Sequence, residues 1–194
     1  PNLSLEVRRG YQQKDKIRTI LEFIFKRPNQ CGIIYCLSRD KTEKVAEILS
    51  NHGIKTSVYH AGLSASARDQ AQSDFINDRV QVVCATIAFG MGINKSNVRW
   101  VIHYNMPKSM EAYYQEAGRA GRDGTAAECI LLYSKGDVAT AEFLIQNSSE
   151  NEELDPAQRE QIRQQDLARL SMMVAYCKTK DCLRGFILDY FGQK

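Results

Sequence analysis

Arg119 and Arg122 stand three positions apart in the stretch Tyr-Tyr-Gln-Glu-Ala-Gly-Arg-Ala-Gly-Arg-Asp-Gly at 113–124, framed by Gly118, Gly121 and Gly124. Glycine in a helix costs about 1 kcal/mol relative to alanine, so three at this spacing end a helix through Tyr113 to Ala117 and replace it with a turn. Each arginine offers five donors in a rigid planar fork, a shape that matches phosphate oxygens. A turn that brings the backbone close and carries two such forks suits a phosphate. The alternative is a solvated turn with two surface arginines.

Three further stretches have the same character. Ser38-Arg39, His60-Ala61-Gly62 and the run Thr86 to Lys95, with Gly90, Gly92 and Asn94 inside it, combine hydroxyl-bearing residues, glycines and cations. Such loops let backbone amides and positive charge approach phosphates. Each alone is also ordinary turn chemistry; what matters is whether the fold gathers them.

The elements around them alternate. Ile17, Ile20, Leu21 and Ile24 fall on one face of a helix over Asp15 to Lys26, closed by Pro28. Gly-Ile-Ile-Tyr-Cys-Leu-Ser at 32–38 is an apolar strand. Asp40 and Glu43 then stand at capping-box spacing before a helix through Val45, Ile48 and Leu49, which Gly53 stops. Residues 54–60 form the next strand, Ser64 to Ile76 a helix, 80–86 a strand, 98–105 a strand, Ser109 to Ala117 a helix and 128–134 a strand. Strands alternating with helices predict an α/β domain, a parallel sheet covered by helices on both faces, and ligands gather at the carboxyl ends of such strands. After Tyr133 a helix near Asp137 to Ile145 precedes the polar, acidic stretch 146–158, punctuated by Pro156 and read as a linker. Leu167, Leu170, Met173, Val174 and then Leu183, Phe186, Ile187 and Tyr190 predict two helices of a separate small element. Forty residues bury little core alone, and the expectation is that the natural protein continues.

The bulk composition excludes more than it selects. With 43% hydrophobic and 25% charged residues and a net charge of +3, the 194-residue chain is composed like a globular protein and permits nucleic-acid binding without demanding it. It has no long apolar run and no basic-then-apolar leader, so an intracellular protein without a membrane partner is expected, cytoplasmic rather than nuclear. Cys36, Cys84 and Cys129 lie in apolar runs and read as core thiols; Cys31/Cys36 and Cys177/Cys182 are spaced too loosely for a complete zinc site. Trp100 reads as core. Gly90-Met91-Gly92 lacks the third glycine of a dinucleotide fingerprint, since Lys95 stands there, which disfavours a dehydrogenase. No G-x-x-x-x-G-K-[ST] loop is present, so the chain can supply only part of a triphosphate site.

Taken in order, 32–39, Tyr-His-Ala-Gly-Leu at 59–63, Ala-Thr-Ile-Ala-Phe-Gly-Met-Gly-Ile-Asn-Lys-Ser-Asn-Val-Arg-Trp-Val-Ile-His at 85–103 and the arginine turn resemble the consecutive motifs of the second RecA-like motor lobe of RecQ-family DNA helicases. Cys182 in Asp-Cys-Leu-Arg-Gly-Phe-Ile-Leu-Asp-Tyr-Phe-Gly is similar to the first zinc cysteine of that family's zinc-binding subdomain. The resemblance implies a lobe over 1–147, and over 148–194 a linker with the helices that open the zinc-binding part. It implies a fragment of an ATP-dependent 3′–5′ DNA helicase, with ATP and Mg²⁺ held mainly by a first RecA-like lobe, and Zn²⁺ in the longer protein through Cys182 and three ligands beyond Lys194. By the same resemblance Arg122 and Arg119 reach the γ-phosphate across the cleft, and Gln115 couples to it. Gly92, Asn94 and Lys95 lie near the nucleotide, Asn94 where many relatives carry an aspartate. Ser38, Arg39, His60 and Thr86 contact the backbone of single-stranded DNA beside a duplex. The other function class left open is a non-catalytic nucleic-acid or protein-binding module.

Overall fold

The computed structural model describes residues 2–10, 12–86, 95–148 and 152–193. Within these residues six strands form one sheet: β1 (Leu3–Arg8), β2 (Gly32–Tyr35), β3 (Thr56–Tyr59), β4 (Val82–Ala85), β5 (Trp100–His103) and β6 (Ala127–Leu132). Their order is β1-β6-β5-β2-β4-β3 and every pairing is parallel. Among the described residues seven helices accompany them: α1 (Gln13–Phe25), α2 (Arg39–Asn51), α3 (Ala65–Ile76), α4 (Met110–Ala117), α5 (Lys135–Gln146), α6 (Pro156–Lys178) and α7 (Leu183–Tyr190).

The central strands read as nearly continuous apolar runs because successive side chains point to opposite faces and both faces are covered. Ile34, Val82, Cys84, Trp100, Ile102, Ile130 and Leu132 face α1 and α2, meeting Ile20, Phe23, Ile24, Val45 and Leu49. Ile33, Tyr35, Val83, Ala85, Val101, Cys129 and Leu131 face the other way, toward Phe75, Met110, Tyr113, Ala141 and Ile145. Trp100 is core, as expected: it is fully buried, and a Cβ on Gly32 would lie 2.0 Å from its ring.

One element was not foreseen and three sequence expectations need correction. Leu3, Leu5 and Val7 alternate in β1, an edge strand paired with β6 that the chain's opening residues were too short to announce. Ser38 caps α2, its Oγ accepting the Lys41 amide at 3.2 Å, so Asp40 and Glu43 do not form the expected box. Pro156 marks a helix start, not a linker: Asp155 and Gln158 form a capping box, and proline at the first position lacks only an amide that would be unpaired anyway. The C-terminal helices are not packed as a separate element. Leu170, Met173, Tyr176 and Cys177 complete the same core that α4 and α5 build, with Leu183, Phe186, Ile187 and Tyr190 against its edge. Cys36, Cys84 and Cys129 are buried thiols as read, and Cys31 and Cys177 join them.

Candidate nucleotide and nucleic-acid interface

Helix α4 delivers the arginine turn. Ser109 caps it, its Oγ accepting the Ala112 amide at 3.1 Å, and Gly118 closes it. The turn is then strapped from three sides. The Gly121 amide donates to Val98 O at 2.8 Å and the Asp123 amide to Ser96 O at 3.1 Å. Asn2 Nδ2 donates to Gly121 O at 2.7 Å and Thr125 O at 2.9 Å. Arg99 Nη2 donates to Asp123 Oδ1 at 2.6 Å, which also accepts the Thr125 amide at 3.0 Å. Gly121 takes φ +62, where a Cβ would stand 2.5 Å from Asn2 Nδ2, so this position requires glycine twice over.

The strapping decides where the arginine forks are offered. Asp123, the nearest carboxylate in sequence after Arg119, is held by Arg99. Among the described residues no hydrogen bond engages the half-buried Arg119 guanidinium, while Arg122 is exposed with its Nε 3.3 Å from Gly118 O. Burial pushes the Tyr35 phenol up, Glu116 adds to the effect, and Arg119 and Arg122 both pull the other way, so both arginines lie within electrostatic reach of the end of β2. Gln115 is exposed on α4, one turn before Arg119. Beneath them His103 Nε2 lies 3.7 Å from Glu116 Oε2, both groups buried, with the His103 ring stacked on Tyr35 at 5.4 Å.

The second group gathers at the carboxyl edge of β2, β4 and β3, which are neighbours in that order. Ser38 and Arg39 open α2 after β2 and are exposed. His60 follows β3. Its Nδ1 accepts the Gly62 amide at 3.0 Å and its Nε2 pairs with Glu43 Oε1 at 2.8 Å. Thr86 follows β4, its amide donating to Tyr59 O at 3.2 Å. Arg39 lies over Gly62, where a Cβ would be 3.0 Å from its Nη1. The four residues thus meet on one rim.

Sequence reasoning missed what supports that rim. Buried Lys16 donates to Tyr104 O at 2.6 Å and to Asp137 Oδ2 at 3.0 Å. Asp137 also accepts from Asn105 Nδ2 at 3.0 Å and from the Met106 amide at 3.1 Å, and Asn105 Oδ1 accepts the Leu37 amide at 3.0 Å. The network fixes the residue just before Ser38. Its signal was a lysine beside the apolar stripe of α1, with no hint of its partner 121 positions away.

Two expected nucleotide contacts, Gly92 and Asn94, lie outside the described residues. Lys95 is placed differently from the expectation of a cation offered to a nucleotide. Its ammonium is buried, 2.7 Å from Asp78 Oδ1 and 3.4 Å from Ile76 O, over the Phe75 ring at the end of α3. Pairing satisfies the buried charge, which would otherwise be costly. Cys182 is exposed and caps α7, its Sγ accepting the Gly185 amide at 3.5 Å. Among the described residues no three metal-ligating side chains converge, so this donor set amounts to a single thiol. No described helix is long and apolar enough to cross a membrane.

The helicase conserved C-terminal domain matches residues 15–124 and the RecQ zinc-binding domain matches residues 135–194. This chain belongs to the RecQ helicase family. It is 45% identical over 193 residues to the ATP-dependent DNA helicase RecQ of Bacillus subtilis, covering 100% of this chain and 31% of that protein. It is 40% identical over 193 residues to the ATP-dependent DNA helicase RecQ of Haemophilus influenzae, covering 100% of this chain and 29% of that protein. The chain therefore spans about a third of the length of the curated relatives it matches. In fold it is similar to the E. coli DEAD-box protein SrmB, solved bound to the regulator of ribonuclease activity A. That likeness has TM-score 0.64 and 20% identity over 74% of this chain and 85% of that one, and it concerns the fold alone: a RecA-like parallel sheet.

Proposed function

We propose that residues 1–147 are the second motor lobe of an ATP-dependent DNA helicase that translocates 3′ to 5′, and that 148–194 open its zinc-binding subdomain. The family assignment supports a helicase lobe, and the single observation that carries the catalytic part is the strapped turn. Asn2, Arg99 and the backbone at 96–98 hold 118–125 fixed, so Arg119 and Arg122 are offered on a rigid mount rather than on a loose loop. A preorganised cation costs no reorganisation when charge develops on a transferring phosphoryl group. ATP with Mg²⁺, bound mainly by the first lobe, supplies that group; the part of this chain is to meet it with two planar forks. Gln115, one helical turn before Arg119, stands on the same exposed edge.

The rim of Ser38, Arg39, His60 and Thr86 is the proposed path of the single strand beside a duplex. Hydroxyls and a guanidinium at the carboxyl ends of adjacent strands suit phosphates and carry no base code. Zinc belongs to the longer protein. Cys182 is the one residue described here that would help hold it, and no step is routed through the metal.

The test is Arg122→Ala in the intact two-lobed protein. If Arg122 acts on the transition state, DNA-stimulated ATP turnover falls by about 10³ or more while ATP affinity stays within a few-fold. Arg122→Lys rescues poorly, because a point charge on a flexible stem does not reproduce a planar fork. Loss of single-stranded DNA affinity with near-normal turnover would show instead that the arginines clamp DNA.

A further inference from the structure

His60 is 4% exposed and spends both ring nitrogens inside the protein. Nδ1 accepts the Gly62 amide at 3.0 Å, so Nε2 carries the ring proton and donates it to Glu43 Oε1 at 2.8 Å. A ring so held keeps no polar edge for a phosphate. Glu43 stands four residues after Arg39 on α2, the spacing at which a helix brings a carboxylate and a guanidinium together. Its carboxylate goes to His60 instead, and among the described residues Arg39 makes no ion pair. Gly62 seats the two side by side, since a Cβ there would be 3.0 Å from Arg39 Nη1 and 3.1 Å from the His60 ring.

We propose that His60 is a positioning residue and not itself a nucleic-acid contact: by taking the Glu43 carboxylate it keeps that carboxylate off Arg39 and leaves the guanidinium fork to a phosphate. The inference rests on the rim being the path of the strand. Glu43 is half-exposed, so on charge alone its removal strengthens DNA binding whatever His60 does. The informative quantity is therefore the excess by which Glu43→Gln strengthens binding where His60 is missing over the gain it gives where His60 is present, and equal gains overturn the inference.

Binding of a fluorescent oligothymidylate to the intact two-lobed protein, at one low salt concentration and without nucleotide, separates the cases. Arg39→Ala sets the scale and weakens binding about tenfold, the loss expected for one charged hydrogen-bonded contact. His60→Ala weakens it by a similar factor, because Glu43 then turns to Arg39. Adding Glu43→Gln to His60→Ala restores binding to within about threefold of wild type, although the histidine is still absent. That recovery also shows that the fold survives. His60→Gln keeps a donor toward Glu43 and binds near wild type. In the wild-type protein, nitrogen-detected imidazole spectra show the Nε2–H tautomer both free and saturated with the oligonucleotide. A double variant as weak as His60→Ala overturns the inference, since the ring then acts directly. So does a His60→Ala protein that binds like wild type while Arg39→Ala is weakened. An Arg39→Ala protein with unchanged affinity removes the rim itself, and the inference with it.

Discussion

Asp123 closes the arginine turn, and its chemistry predicts how the turn responds to acid. Hydrogen bonding from Arg99 holds its carboxyl below the usual carboxylate range, with the Thr125 amide adding to the effect and burial opposing it. A depressed folded-state value means that the interaction contributes stability above the unfolded value of about 3.9 and loses it as the pH falls through the lower folded value. Asp123→Asn should therefore lower the melting temperature at pH 6, with the difference from wild type shrinking below about pH 4 as the wild-type carboxyl takes up its proton. Melts by circular dichroism across that range check this; a difference constant down to pH 3 would show that the carboxylate charge is not what holds the turn. The same residues show what a sequence reveals at this scale. Arg119 and Arg122 were legible because fork and glycine spacing are local. That Arg99, and not Arg119, takes Asp123 was not, because strand order brings Arg99 to the turn from 24 positions away. The ion pair of Lys95 was hidden for the same reason: beside a glycine-rich run it reads as a phosphate cation, and the fold sets Asp78 against it.

At the scale of elements, the C-terminal helices are the part whose energetics the sequence concealed. A polar, acidic stretch ahead of Pro156 suggested a linker and an independent unit, yet the apolar stripe of α6 is buried against α4 and α5. Met173 is fully buried there, and Tyr176 donates its hydroxyl hydrogen to Tyr113 Oη at 3.1 Å. Met173→Ala should cost about 2–5 kcal/mol, the usual loss for truncating a buried methionine. Trp100, the only tryptophan, lies on the opposite face of the sheet and reports whether the cost is shared. If α6 and the sheet fold as one unit, Trp100 fluorescence and far-ultraviolet circular dichroism shift together in Met173→Ala. An unmoved tryptophan transition would mean that α6 melts by itself. Central strands were readable because a strand buried on both faces is apolar at every position. Edge strand β1 was not, since six residues packing one face give only a short alternation.

For the whole molecule, the two proposed sites differ in completeness, and the arginine turn is a half-site. In the proposed reading the arginine turn brings donors to a phosphate but nothing that wraps one: the sequence holds no G-x-x-x-x-G-K-[ST] loop, and the positive charge of Lys95 is turned inward to Asp78. An arginine fork raises a rate only when another surface holds the triphosphate in line for attack, because effective molarity comes from positioning and not from charge alone. Residues 1–194 by themselves should therefore show no ATP turnover, with or without DNA, whereas the rim, which needs no partner surface to meet a backbone, should bind a single strand weakly. Three loops touching about three phosphates predict a plot of log affinity against log salt with a slope of about −2, since each phosphate released from its counterions contributes about −0.7. Turnover by the pure chain that Arg122→Ala abolishes would overturn the half-site account. A salt-independent affinity would overturn backbone contact at the rim while leaving the arginine turn untouched, so the two halves of the proposal fail separately.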